Sequence, residues 1–242
     1  MEIIINGAGG RMGKALRAML DRKGAKAAAL IDPFVKEDGM LESLEDYRGS
    51  ADCIIDFSNH AGTQALLDYA LRRKLPVVIC TTGHTEEELA LISGAAKTIP
   101  VFRSGNMSLG IAVLTRLVKD AAKMFPDADI EIVESHHNQK LDVPSGTALM
   151  LAHSVQSVRE DATLLVGRHE NGKRTRQEVG IHSLRMGNTV GIHEVIINTG
   201  TQILTLKHEA QDRSLFAEGA LAAAEFMMDK PAGLYHMDHI VG

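Results

Sequence analysis

Residues 2–20 read Glu2-Ile-Ile-Ile-Asn6-Gly7-Ala8-Gly9-Gly10-Arg11-Met12-Gly13-Lys14-Ala-Leu-Arg-Ala-Met-Leu20. A short apolar strand runs into a glycine-rich turn, and the turn runs into a helical pattern. This is the strand–loop–helix unit of a dinucleotide-binding fold, in which glycines allow a sharp turn and close approach of backbone to a pyrophosphate. The pyrophosphate then rests on the N–H groups of the helix start. The spacing departs from a strict G-x-G-x-x-G, because Met12 stands at the last glycine position. The reading is either Gly7-x-Gly9-x-x-x-Gly13 or Gly7-x-x-Gly10-x-x-Gly13.

The following residues carry the same grammar forward. Ala25 to Ile31 is a second apolar run, and it ends at Asp32, where the acidic partner of a ribose hydroxyl belongs. Further strands are expected at 53–57, 77–80 and 100–102, separated by helical patterns over 61–74 and 85–97. The second of these helices opens on Thr85-Glu-Glu-Glu88, a capping-box pattern. Alternating strands and helices predict an α/β fold with a doubly wound parallel sheet. Its strand-end loops should face the dinucleotide. They include Phe57-Ser-Asn59, Cys80-Thr81-Thr82-Gly83 and Ser104-Gly105-Asn106-Met107.

After residue 108 the pattern changes. A long helix over 108–124 leads to Asp129-Ile-Glu-Ile-Val-Glu134, which alternates like a half-buried strand. Next come Ser135-His136-His137-Asn-Gln-Lys140-Leu-Asp-Val-Pro-Ser145-Gly146-Thr147 and an apolar helix over 146–158, with Ser145 or Thr147 placed to cap it. Surface histidines and a solvated lysine are the ordinary explanation for such residues taken singly. Clustered between a strand end and a helix start, they form a place where an anion meets free N–H donors and a proton source. Segments 178–186, 190–198 and 202–209 read as successive strands joined by Arg185-Met-Gly-Asn188 and Asn198-Thr-Gly-Thr201, which predicts antiparallel pairing. A second, smaller α+β domain with an open mixed or antiparallel sheet follows. Such a sheet leaves one face to be covered, most simply by another subunit. The expected division is 1–107 for the dinucleotide domain and 108–213 for substrate binding and oligomerisation, with 214–242 returning to the first.

Composition narrows the class. The chain has 242 residues, 45% of them hydrophobic, and a formal net charge of −5. That balance argues against nucleic acid or an anionic membrane as the main partner. Residues 1–5 run straight into a strand, and there is no apolar run of membrane-spanning length. A soluble cytoplasmic protein is expected. The 11 histidines and 2 cysteines form no H-E-x-x-H and no C-x-x-C, so no metal is expected, and Cys53 and Cys80 read as buried and reduced.

Taken together, Gly7-Ala-Gly-Gly-Arg-Met-Gly13 and Glu134-Ser-His-His-x-x-Lys140-x-Asp-x-Pro-Ser-Gly-Thr-Ala148 closely resemble the 4-hydroxy-tetrahydrodipicolinate reductase family, also called dihydrodipicolinate reductases. The resemblance runs the length of the chain through Thr81-Thr-Gly83, Gly105-Asn-Met-Ser108 and Arg185-x-Gly-x-x-x-Gly191-x-His193. It implies an NAD(P)H-dependent reduction on the diaminopimelate route to lysine, by a homotetramer. Gly7, Ala8, Gly9, Gly10, Arg11, Met12, Asp32, Cys80, Thr81, Thr82, Ser104, Gly105, Asn106 and Met107 would line the dinucleotide. His136 would donate or accept a proton and Lys140 would donate one. His137, Ser145, Gly146 and Thr147 would hold the substrate, and hydride would reach C4 of the ring as the 4-hydroxyl leaves as water.

The residues alone point to a compatible ligand, a small cyclic dicarboxylate. One carboxylate would meet Gly146-Thr147 with Lys140 nearby, and Arg213 and Lys207 are secondary candidates for the other. Departures from the family pattern bear on the cofactor: a short segment between Asp32 and Asp52, Cys80 in place of a common Gly, Met107 in place of a frequent aromatic, and Pro33 where some relatives carry Arg. Asp32 beside Pro33 favours NADH at least equally with NADPH, since a carboxylate repels a 2′-phosphate. A different two-domain dehydrogenase would explain residues 1–107 but not 134–148. A dinucleotide sensor or an oligomeric scaffold would have no use for His136 with Lys140.

Overall fold

The computed structural model describes residues 1–242. The chain divides into two compact units, Met1–Leu109 with Arg213–Gly242, and Gly110–Asp212.

The first unit is built on a seven-stranded parallel sheet. Its strands are β1 (Ile3–Asn6), β2 (Ala29–Ile31), β3 (Met40–Leu41), β4 (Cys53–Asp56), β5 (Val77–Ile79), β6 (Pro100–Arg103) and β12 (Gly233–Tyr235), in the spatial order β12-β6-β5-β4-β1-β2-β3. The first helices are α1 (Arg11–Arg22), α2 (Thr63–Arg73) and α3 (Glu86–Ala95). Apolar runs such as Ile3-Ile4-Ile5 and Cys53-Ile54-Ile55 are buried on both faces, as parallel strands between helix layers must be. Ile4, Ile54, Val77 and Val101 pack with Leu66, Tyr69 and Ile92 from α2 and α3. The other layer is α1 with α6 (Ser214–Met227), so the C-terminal segment completes this unit. Strands β3 and β12 are too short to show a period, and the sequence reading has no counterpart for them.

Strand order reverses between β1 and β4, and their carboxyl ends form the crevice where ligands of such sheets bind. Two glycines are required there. Gly7 has φ +79° and lies against the Phe57–Ser58 peptide, where an added Cβ would sit 2.6 Å from the Phe57 carbonyl. Gly13 lets α1 approach the loop, since its Cβ would lie 2.2 Å from the Gly7 carbonyl oxygen. The first and last glycines therefore work as a pair, and Gly10 serves as the N-terminal flank of α1.

The second unit has a five-stranded mixed sheet of β7 (Asp129–His136), β8 (Thr163–Val166), β9 (Glu178–Arg185), β10 (Gly191–Asn198) and β11 (Ile203–Ala210), in the order β11-β10-β7-β9-β8. Helices α4 (Leu109–Met124) and α5 (Gly146–Gln156) cover one face. Ile111, Leu114, Val118, Leu151 and Val155 pack there on Ile130, Ile132, Val179, Ile181, Val195 and Ile197.

One expectation is corrected. Strands β10 and β11 do form the antiparallel hairpin read from Asn198-Thr-Gly-Thr201. Strands β9 and β10 do not pair, because β7 lies between them, parallel to β9 and antiparallel to β10. The strand richest in buried isoleucine takes the centre of the sheet. The 186–190 connection therefore crosses the end of β7, where the Met186 amide donates to the His136 carbonyl at 2.9 Å and the Asn138 amide to the Gly187 carbonyl at 3.2 Å. The face away from the helices carries Val133, Leu184, Ile192, Glu194, Ile196 and Lys207, as the pairing register dictates. Leu184 and Ile203 stay 48% and 65% exposed on that face.

Candidate active site

Side chains of β7 alternate between faces. Ile130 and Ile132 point into the core, and two residues further on each time come Glu134 and His136. The helix-covered face thus begins apolar and ends ionic. Strand β7 also runs two residues past the expected end, so His136 sits on a rigid element and the loop starts at His137. Ser183, Arg185 and His193 occupy neighbouring positions on the same face, through the registers Glu134↔Ser183, His136↔Arg185 and Glu134↔His193.

Glu134 has no solvent exposure. Arg185 grips it bidentately, Nη1 to Oε2 at 2.9 Å and Nη2 to Oε1 at 2.9 Å. His136 Nδ1 lies 2.5 Å from Oε2, and the Ser145 amide donates to Oε1 at 3.2 Å. Burial alone would raise the Glu134 pKa. The hydrogen bonds from Arg185, His136 and the Ser145 amide outweigh that and hold it at about 2. An ionised carboxylate only accepts, so the shared proton belongs to Nδ1 and the lone pair to Nε2. Nε2 faces Gly191, where an added Cβ would lie 3.1 Å away. A glycine inside a strand weakens it and often marks a place kept open.

His193 stands edge-on to His136, with ring centroids 5.1 Å apart, and its Nε2 lies 3.2 Å from Ser145 Oγ. Burial pushes its pKa down to about 4, and the neighbouring His136 adds to the shift. Burial also lowers the pKa of His136, against the opposing pull of Glu134.

Ser145, rather than Thr147, caps α5, since its Oγ accepts from the Ala148 amide at 3.2 Å. Gly146 is exposed with open space around its Cα, and Thr147 is half-buried beside it, so the helix start opens outward. Lys140 Nζ pairs with Asp142 at 2.8 Å in the connecting loop, and Arg185 Nη2 also donates to the Asp142 carbonyl at 2.7 Å. The second unit therefore brings together His136, His137, Lys140, Ser145, Gly146 and Thr147. Lys207 is not among them: it lies on the opposite sheet face, paired with Glu209 at 3.1 Å. Arg213 is an exposed residue of the first unit, just before α6. Sequence reasoning gave no role to Glu134, Arg185 or His193, although the period of β7 pointed Glu134 and His136 inward together.

In the first unit the expected cofactor residues gather at the carboxyl ends of the strands. Asp32 Oδ2 accepts from the Gly9 amide at 3.0 Å, and Oδ1 accepts from the Phe34 and Val35 amides at 3.0 and 3.2 Å. A carboxylate has about four acceptor sites, so one on Oδ2 remains for a ribose hydroxyl. Gly9 fits this cradle because its Cβ would lie 2.5 Å from Val35 and 2.9 Å from Asp32 Oδ2. Asp56, which sequence reasoning passed over, ties the other loop ends together. Asn6 and Ser58 donate to its Oδ1 at 2.8 and 2.5 Å, and Thr81 to its Oδ2 at 2.6 Å. Ser104 Oγ donates to the Asn106 carbonyl at 2.7 Å, and Met107 is buried. Cys53 and Cys80 are both free thiols, and burial raises the pKa of each. The glycine loop, Asp32 and the Asp56-linked loops thus fit a dinucleotide. No three His, Cys, Asp or Glu side chains gather as a metal site.

Comparison with known proteins agrees with both halves. Residues 1–107 match the family described as dihydrodipicolinate reductase, N-terminus, and residues 110–241 match its C-terminus. The chain belongs to the dihydrodipicolinate reductase family. It is 42% identical over 246 aligned positions to the 4-hydroxy-tetrahydrodipicolinate reductase of Clostridium novyi (strain NT), covering 99% of this chain and 98% of that one. The corresponding protein of Caldanaerobacter subterraneus subsp. tengcongensis is 43% identical, covering 100% of this chain and 98% of that one. Among solved structures, the fold is similar to that of a dipicolinate-bound dihydrodipicolinate reductase from Paenisporosarcina sp. TG-14, with a TM-score of 0.82 at 23% identity and 99% coverage of both chains. A probable dehydrogenase from Thermotoga maritima shares the fold more distantly, with a TM-score of 0.63 at 10% identity, covering 97% of this chain and 91% of that one.

The buried histidines give a stability signature. His193 is held neutral in the folded protein, with a pKa of about 4. In the unfolded chain it takes up its proton near pH 6.5, so the unfolded state binds more protons as pH falls. Stability is complete above that value and declines through the window down to about 4. Glu134 then adds a second loss between its unfolded range and about 2. Urea unfolding should show a decline of at most about 3 kcal/mol across the histidine window. A midpoint that stays flat from neutral pH to the lower end of that window would contradict it.

Proposed function

We propose that this chain reduces 4-hydroxy-tetrahydrodipicolinate to tetrahydrodipicolinate with a pyridine nucleotide, releasing water, in the diaminopimelate route to lysine. The observation that carries the proposal is the constellation on the second unit: a buried His136 with Nε2 left as its basic nitrogen, Lys140 in the adjoining loop, and the outward-facing start of α5. A dipicolinate-bound relative of the same fold supports a cyclic dicarboxylate as the ligand class.

The nucleotide, when bound, supplies the hydride that reaches C4 of the ring. This chain's own residues do the rest. The amides of Gly146 and Thr147, at the positive end of α5, hold one carboxylate, and Lys140 leaves Asp142 to grip it with a charge-assisted bond. His137 and Ser145 border the same subsite. Protonated at Nε2, His136 gives up the proton with which the 4-hydroxyl departs as water. A neutral His136 would accept one in the reverse sense. His136→Gln keeps size and hydrogen bonding without proton transfer. It should lower kcat by about 10² to 10⁴, with a smaller change in KM. Lys140→Ala should impair both constants. Steady-state assays on substrate made by a coupled synthase measure this, and pyridine-2,6-dicarboxylate should compete with that substrate. Near-normal kcat in His136→Gln would remove His136 from the chemistry.

Cofactor choice is proposed from the loop after β2. Asp32 is an anion where a 2′-phosphate would lie, and Pro33 has no N–H to offer. Lys36 is paired with Glu42, and Arg17 with Glu37 at 2.7 Å, which leaves Arg11 at the exposed start of α1 as the nearby cation. NADH is therefore used at least as well as NADPH. The ratio of kcat/KM for the two decides this, and a tenfold preference for NADPH would show that Arg11 and Lys36 outweigh Asp32.

The half-apolar outer face of the second sheet supports assembly through residues 178–209, as a homotetramer. No helix of the chain is long and apolar enough to cross a membrane. The net charge of −5 argues against nucleic acid as the main partner, and we read the chain as a cytoplasmic enzyme. Light scattering should report a tetramer mass, and a stable monomer at micromolar concentration would defeat the assignment.

A further inference from the structure

We infer that Glu134, clamped by Arg185, is the positioning residue that makes Nε2 of His136 the proton-transferring atom and fixes the loop carrying Lys140. The inference rests on the assignment of His136 as the proton donor.

Three groups converge on the Glu134 carboxylate, and each comes from a different place. Arg185 brings β9, His136 brings the end of β7, and the Ser145 amide brings the residue that caps α5. The loop is tied in through Arg185, whose Nη2 donates at once to Glu134 and to the carbonyl of Asp142, the partner of Lys140. The planar guanidinium has its donors in a fixed fork, so the position of Glu134 and the path of the loop are set together. On the His136 side the consequence is tautomeric. With Nδ1 committed to the carboxylate, the ring can gain or lose a proton only at Nε2, the atom that faces Gly191. Without Glu134 either nitrogen of the neutral ring could carry the proton, and the basic nitrogen would no longer be fixed at Nε2.

The groups facing His136 are Glu134 on its own strand, Arg185 from β9, His193 from β10 and Lys140 from the loop. Burial lowers the pKa of His136, Glu134 raises it through a hydrogen bond and its charge, and Lys140 and Arg185 lower it again. Glu134 is the one group in the set that favours the protonated ring. Replacing it by the isosteric amide keeps an acceptor for Nδ1 but removes that charge, and it leaves two cations unopposed. The acid form of His136 then survives only at lower pH.

The test is the pH dependence of kcat/KM in the full-length protein for the wild type, Glu134→Gln and Arg185→Lys. In Glu134→Gln the limb on which activity falls with rising pH should move to lower pH by about one unit or more. The deficit should be at least about tenfold near neutrality and narrow as the pH is lowered. The affinity for NADH should stay at the wild-type value. Arg185→Lys keeps the charge but loses the fork, and should raise KM for the substrate more than it moves the limb. A uniform loss at every pH, or no loss, would overturn the inference and leave Glu134 with a role in folding only. Should Glu134→Gln fail to fold, ¹⁵N NMR of the His136 ring in the wild type decides. Protonated Nδ1 with bare Nε2 above about pH 7 is expected, and the opposite tautomer overturns it. An active His136→Gln would instead sink the assignment of His136, whatever tautomer the ring shows.

Discussion

A carboxylate sealed from water stays ionised only if it is fully partnered, because the desolvation cost of a bare charge would otherwise drive it to take up a proton. Glu134 meets that demand with Arg185, His136 and the Ser145 amide, and the second unit is arranged around the result. The pair draws the end of β7, the end of β9, the start of α5 and the loop between them to one point. Replacing both partners by apolar groups could hold the same elements together. It would leave His136 without a fixed tautomer and Lys140 without a fixed loop. The ion pair is therefore better explained by what it orients than by what it stabilises.

The first unit uses the same device with different residues. Asp56 is buried and accepts from Asn6, Ser58 and Thr81, so the ends of β1, β4 and β5 are tied at the strand-order switch point. Asp32 does this for the glycine loop and the segment after β2. Loops that must approach a dinucleotide closely need backbone freedom, which the glycines give, and a fixed anchor, which the carboxylates supply.

The dinucleotide fold was readable from residues 2–20 because strand, glycine turn and helix follow one another within one local unit. The cluster of His136, Lys140 and the α5 start was readable for the same reason, lying within fourteen residues of chain. What the sequence hid depends on partners distant along the chain. Arg185 meets Glu134 across 51 positions and His193 meets Ser145 across 48, and nothing local marks either encounter. The placement of β7 between β9 and β10 was misread because a short turn signal between two strands does not exclude a third strand inserted from earlier in the chain. The two-residue period of Ile130, Ile132, Glu134 and His136 was available, and it put an acid and an imidazole on the buried face. Lys207 was a candidate by charge alone, and the same period places it on the opposite face.

If Glu134 acts through His136, the two must fail together. The direct measurement is a double-mutant cycle on kcat/KM near neutral pH, with Glu134→Gln, His136→Gln and the pair combined. Once His136 is gone there is no ring for Glu134 to orient, so the double variant should be scarcely slower than His136→Gln alone. Losses that multiply, with the double variant slower by the product of the two single effects, would mean that Glu134 contributes independently of His136 and would contradict the account.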